Sequence, residues 1–151
     1  MKLAEALILR ADVKRRMDEL KQRLAVTVRV QEGDSPSEDP AKLRAEYERL
    51  ADQMLTLIRS INVSNMTVRL DDGQSIADAL ALRDILRLRQ TLLRNTLGSA
   101  MPTERWGRNE IRYVVTIDIP TWRSDADELA RELRELDTRI QAVNWTVDLI
   151  E

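Results

Sequence analysis

The sequence has no cysteine and no histidine. The first absence excludes a disulfide framework, a thiol nucleophile and a thiolate metal site. The second removes the commonest general base and metal ligand. Phenylalanine is also missing, and aromatics make up only 3% of the chain, so no aromatic-basic stripe is available for stacking nucleic-acid bases. Only four glycines occur, widely separated, and none forms a phosphate-cradling loop. Lysine stands only at positions 2, 14, 21 and 42. The net charge is −2 with both signs interspersed, so no basic field draws nucleic acid from a distance. Nowhere do 18 apolar residues run together, so no membrane-spanning helix is expected. The opening Met1-Lys2-Leu3-Ala4-Glu5 lacks the apolar run of a signal peptide, and a cytoplasmic protein is expected.

What the chain has in quantity is aliphatic and charged residues. Hydrophobic residues reach 43% and charged residues 33%, the composition of helical hairpins and coiled coils. The length of 151 residues suits a single domain spanning 1–151.

The aliphatic residues repeat. Leu3-Ala-Glu-Ala-Leu-Ile-Leu-Arg10 lies over Ile76-Ala-Asp-Ala-Leu-Ala-Leu-Arg83 at an offset of 73. At an offset of 79, Leu50, Met54, Leu57 and Ile61 fall on Leu129, Leu133, Leu136 and Ile140. At the same offset Asn65-Met-Thr-Val-Arg-Leu70 falls on Asn144-Trp-Thr-Val-Asp-Leu149. These matches indicate an internal duplication into 1–73 and 74–151. The copies differ in sign: Arg29 and Arg69 in the first answer to Asp118 and Asp148 in the second.

Each half predicts a helix, a short strand and a second helix. Leu3, Ala6, Val13, Met17, Leu20 and Leu24 mark a helix from Lys2 to about Leu24. The β-branched run Val26–Val30 favours a strand. Asp39-Pro40 pairs an N-cap acceptor with proline in the first turn and opens a second helix. Leu43, Tyr47, Leu50, Met54, Leu57 and Ile61 then alternate three and four apart, the spacing of a helix-packing seam. Ser75 and Asp78 fit a capping box before a third helix, Ile76–Leu97. Ile111 to Ile119 alternates apolar and polar residues like a half-buried strand. Pro120 opens a fourth helix, with Trp122, Ala126, Leu129, Leu133, Leu136, Ile140 and Val143 on its seam. The expected fold is mostly α with minor β: duplicated helix-strand-helix units, long antiparallel hairpins with short strands. The third helix is apolar on two flanks, Leu82 and Leu86 on one and Ile85, Leu88 and Leu92 beside them, so a homo-oligomer paired through it is expected.

Few residues stand out as site candidates. Arg10 and Arg83 occupy equivalent repeat positions among apolar neighbours. A buried arginine needs a carboxylate, with Asp12, Asp84, Asp118 and Asp148 as candidates. A structural ion pair is the first reading of Arg10, Arg83, Asp118 and Asp148, and an anion site the second. Asn65 and Asn144 suit left-handed helix C-caps. The acidic loop with Glu32, Asp34, Glu38 and Asp39 lacks the order of a calcium loop. No metal, cofactor, nucleic-acid partner or catalytic group is expected, and the chain reads as non-enzymatic.

Several segments together resemble the septicolysin-like family: Met1–Arg10, Val30-Gln-Glu-Gly-Asp34, Glu38-Asp-Pro40, Arg59-Ser-Ile-Asn62, Asp78-Ala-Leu-Ala81, Glu135–Ile140 and Asn144–Leu149. The resemblance covers essentially the whole chain. It implies a cytolysin, which would need amphipathic segments able to cross a bilayer, about 9–11 residues per strand. Ile111–Ile119 has that length and Val26–Val30 does not. The seam-bearing helices, rich in charge, suit partner helices better than lipid.

Overall fold

The structure, a computed structural model, describes residues 1–101 and 114–151. It is mostly helical, with four helices: α1 (Leu3–Thr27), α2 (Pro40–Thr67), α3 (Ile76–Ser99) and α4 (Ile119–Thr146). The chain forms two compact units. One joins Met1–Ile76 to Gln141–Glu151, and the other is Ala77–Ile140.

In the first unit α1 and α2 pack as a hairpin. As the number on α1 rises from Arg16 to Arg23, its partner falls from Glu46 to Glu38, so the helices run antiparallel. Leu3, Ala6, Val13 and Leu20 of α1 are buried, as are Leu43, Leu50, Leu57 and Ile61 of α2. The three-four spacing of these residues puts each set on one face. Burial of each leucine, isoleucine or valine among them contributes roughly 1.5–3 kcal/mol. Asp39 starts α2 as its sequence suggests: its carboxylate accepts the Ala41 N–H at 2.9 Å, with Pro40 in the first turn.

The ends of the two longer helices are built alike. After α2, Leu3's counterpart Ile76 donates its N–H to Val68 O at 3.2 Å, and Leu70 N–H bonds to Gln74 O at 2.9 Å. After α4, Leu3 N–H bonds to Val147 O at 3.1 Å, and Leu149 N–H to Met1 O at 2.9 Å. Adding 73 to the helix-start numbers and 79 to the tail numbers converts one set into the other. Two isolated antiparallel bridges, Arg69 with Ser75 and Asp148 with Lys2, obey the same offsets. The Leu3 and Ile76 bonds satisfy first-turn N–H groups that no helix can pair internally.

These joints correct the expectation for Asn65 and Asn144. Both lie inside their helices, which continue two residues further, and among the described residues only Gly33 and Gly73 have positive φ. The chain leaves α2 through Val68 in extended geometry, φ −71° and ψ 139°, aimed at the start of the next helix. A left-handed cap would turn it elsewhere.

The expected strands do not form where they are described. Val26 and Thr27 complete α1, and no strand follows. Thr27 is buried, its hydroxyl donates to Arg23 O, and Val28 N–H closes the last turn on Leu24 O at 3.2 Å. β-branched residues favour strands through packing on a sheet, and none is offered to this segment. In the second expected strand Ile111–Tyr113 lie outside the described residues, Val114–Asp118 form no strand, and Ile119 already belongs to α4. Proline at the second position of α4 is tolerated because its missing N–H would have no helical partner.

In the second unit Ala79, Leu86, Leu136 and Ile140 are buried. Side chains of α3 and α4 meet at Asp137, 3.8 Å from Arg83 and 3.4 Å from Arg87.

Candidate interaction surface

The face of α3 opposite its buried residues is apolar and open. Ala81, Ile85, Leu88 and Leu92 follow one another at intervals of four, three and four, and all are exposed. Leu82, 43% exposed, flanks them. Ile85, Leu88 and Leu92 are 46%, 67% and 63% exposed, which a helix face meant only for water does not require. The matching stretch of α1 supplies the control. At an offset of 73 the same face of α1 carries Ile8, Asp12, Arg15 and Glu19. There Arg15 pairs with Asp12 and lies 3.9 Å from Glu19, a water-facing ladder of charges.

The two equivalent arginines part company. Arg10 is exposed and, among the described residues, makes no hydrogen bond or ion pair. The side chain of Arg83 keeps 21% of its exposure and lies 3.3 Å from Asp84 and 3.8 Å from Asp137. Asp84 was among the carboxylates the sequence offered; Asp137 was not. It lies on α4, half-buried, one residue past the buried Leu136. Arg10 and Arg83 are not a matched pair of buried arginines, because the position of Arg10 faces solvent.

Asp118 and Asp148 serve local structure. Asp118 directly precedes α4, where its carboxylate accepts the Thr121 hydroxyl and its carbonyl accepts the Trp122 N–H at 3.0 Å. Asp148 lies 3.0 Å from Lys2 Nζ, which also donates to Thr146 O at 2.9 Å. The Lys2 hydrogen bond holds the Asp148 carboxyl below the usual carboxylate range. Glu38 of the acidic loop is also held low, by its hydrogen bonds from Arg23. That loop fastens to α1 through this pair, and among the described residues no carboxylates gather as metal ligands.

One buried polar residue, Ser64, escaped sequence reading, and a second, Asn144, was expected as a helix cap. Ser64 is fully buried and its Oγ accepts the Ile150 N–H at 2.9 Å, anchoring the C-terminal tail to α2. Its signal was present, since 57, 61, 64 continues the seam spacing. Asn144 is buried, and its Oδ1 has no hydrogen-bond partner.

Among the described residues no helix is long and apolar enough to cross a membrane. No curated protein matches the chain. It is similar to a functionally unknown conserved protein from Corynebacterium diphtheriae. The crystal structure of that protein superimposes with a TM-score of 0.93 at 40% identity, over 99% of this chain and 98% of that one. The model of a family of unknown function (DUF6847) matches residues 10–149, and the chain belongs to that family.

Proposed function

We propose that this member of the DUF6847 family is a non-enzymatic helical protein that works by self-association. One observation carries the reading: Ile85, Leu88 and Leu92 lie open on α3 where the matching face of α1 bears Asp12, Arg15 and Glu19. An apolar face costs free energy in water at roughly 25 cal/mol per Å². The charged ladder on α1 is the alternative that water favours. Gel filtration coupled to light scattering tests the reading. A mass above the single-chain 17.4 kDa is expected, and a single-chain mass at every concentration would overturn it.

The same reading holds the chain to be a duplicated half closed on itself. The recurrence of two backbone hydrogen bonds and one bridge at constant offsets supports it. The segment between Leu70 and Gln74 is then the internal counterpart of the gap between Leu149 and Met1.

A further inference from the structure

We infer that the partner on this face is a second copy of the chain, with the two α3 helices side by side, parallel and in register. The inference rests on the self-association reading and adds its geometry.

The residue types favour two parallel strands. Ala81, Ile85, Leu88 and Leu92 repeat like the seam of a heptad, with Ile85 and Leu92 in the first seam position and Ala81 and Leu88 in the second. The central two, Ile85 at the first position and Leu88 at the second, are the combination that favours parallel pairs over larger bundles. The seam is short, about 16 Å at 1.5 Å per residue, so the flanks must set its direction.

The flanks choose parallel. Asp84 directly precedes Ile85, and Arg89 directly follows Leu88. In a parallel pair a residue in the first of these flanking positions meets the residue five further along the partner. Asp84 of each copy then faces Arg89 of the other, and two-fold symmetry makes the contact twice. Antiparallel packing would set Asp84 against the second copy's Thr91, and Arg89 against its Leu82, where the charges find no counterpart. Asp84 is 65% exposed and Arg89 is exposed, so both are free to make this contact. Arg83, the present neighbour of Asp84, also has Asp137. Such rim charges fix orientation more than affinity.

Leu82 adds an apolar flank on the Arg89 side, and Ala77 is its matching flanking residue five positions earlier. That leaves no like-charge pair along the seam.

The chain has no cysteine, which makes the test direct. Leu88→Cys and Ile85→Cys are made separately in the full chain, and each is oxidised alone and as an equal mixture. Both positions are exposed, so folding should survive, and circular dichroism checks it. In the parallel pair Leu88 meets its own counterpart, within the Cα separation of about 4.4–6.8 Å that a disulfide spans. Leu88→Cys alone should therefore form a covalent species of twice the 17.4 kDa chain mass. If neither variant couples alone and only the mixture does, the pair is antiparallel and the inference falls while self-association stands. If the unaltered chain scatters as 17.4 kDa throughout, both fall. Leu88→Glu should shift the unaltered dimer to single chains without loss of helicity. An unchanged dimer would remove this face from the interface.

Discussion

Lys2 and Asp148 meet twice, through an antiparallel backbone bridge and through an ion pair of 3.0 Å between Lys2 Nζ and Asp148 Oδ1. They precede α1 and follow α4, so the first and last parts of the chain are stitched together. The corresponding internal pair, Arg69 with Ser75, has the bridge in the same place. Asp148, in the place that Arg69 takes at the internal joint, thus pairs with a lysine where the internal joint has Ser75.

The ion pair gives this joint a pH dependence. Asp148 has its folded-state pKa lowered, so its stabilisation is complete above the unfolded carboxylate pKa and is lost as pH falls through the folded value. Asp148→Asn should melt below the unaltered chain at pH 7, and the gap should close below about pH 4. Thermal melts at several pH values read it, and a gap that persists at low pH would assign the loss to something other than charge.

Circular permutation tests the closed duplication. Asp71-Asp72-Gly73 connects Leu70 to Gln74, with Gly73 at φ 86°. Ile150-Glu151 followed by one added glycine would connect Leu149 to Met1 with the same length and the same glycine position. A permutant joined there and opened between Asp71 and Asp72 should keep its helicity. Its Tm should lie within about 4 °C of the parent, a change of ~1 kcal/mol at this chain length. Failure to fold would argue that the two joints only look alike.

Ser64 should matter more than its small size suggests. Ser64→Ala removes the acceptor for Ile150 N–H at a fully buried site and should cost about 1–2 kcal/mol. Hydrogen exchange should show the gain in opening concentrated at Ile150 and its neighbours. Protection unchanged there would mean the tail is held by its contacts with Met1, Lys2 and Leu3 without Ser64.

Two leucines separate stability from assembly. Leu50 is fully buried on α2, and Leu50→Ala should cost about 2–5 kcal/mol. Leu88 is 67% exposed, and Leu88→Ala should change single-chain stability by about 0.5 kcal/mol or less while weakening association. Urea melts at low concentration and light scattering at high concentration measure the two effects separately.

The lytic activity implied by the septicolysin-like resemblance can be put to a direct trial. The purified chain, added to dye-loaded anionic and neutral vesicles, should release no dye. Release that grows with protein concentration would replace the self-association reading.

The helices were legible in the sequence because three-four spacing and capping chemistry act locally. Asp39-Pro40 announced α2, and the seam through Leu43, Leu50 and Leu57 named the residues that are buried. The strand expected at Val26–Val30 was misjudged because β-branched residues only report fitness for a sheet, and Val26–Thr27 found the end of a helix instead. Arg10 was misplaced because a position within an apolar stripe need not lie at its centre. The partner of Arg83 was half-seen: Asp84 is its sequence neighbour, whereas Asp137 comes near only through folding. The open face of α3 was visible as excess hydrophobicity, but the charged ladder on α1 gains its meaning only once both are seen to be solvent-exposed.

The stitch between the termini has a mechanical consequence. Pulling on Met1 and Glu151 would load the Met1–Leu149 and Leu3–Val147 hydrogen bonds one after the other, as a zipper parts, instead of sharing the force between them. Stretching a single molecule by its ends should therefore show a first rupture at low force, with the α1–α2 hairpin yielding only after the ends have come free.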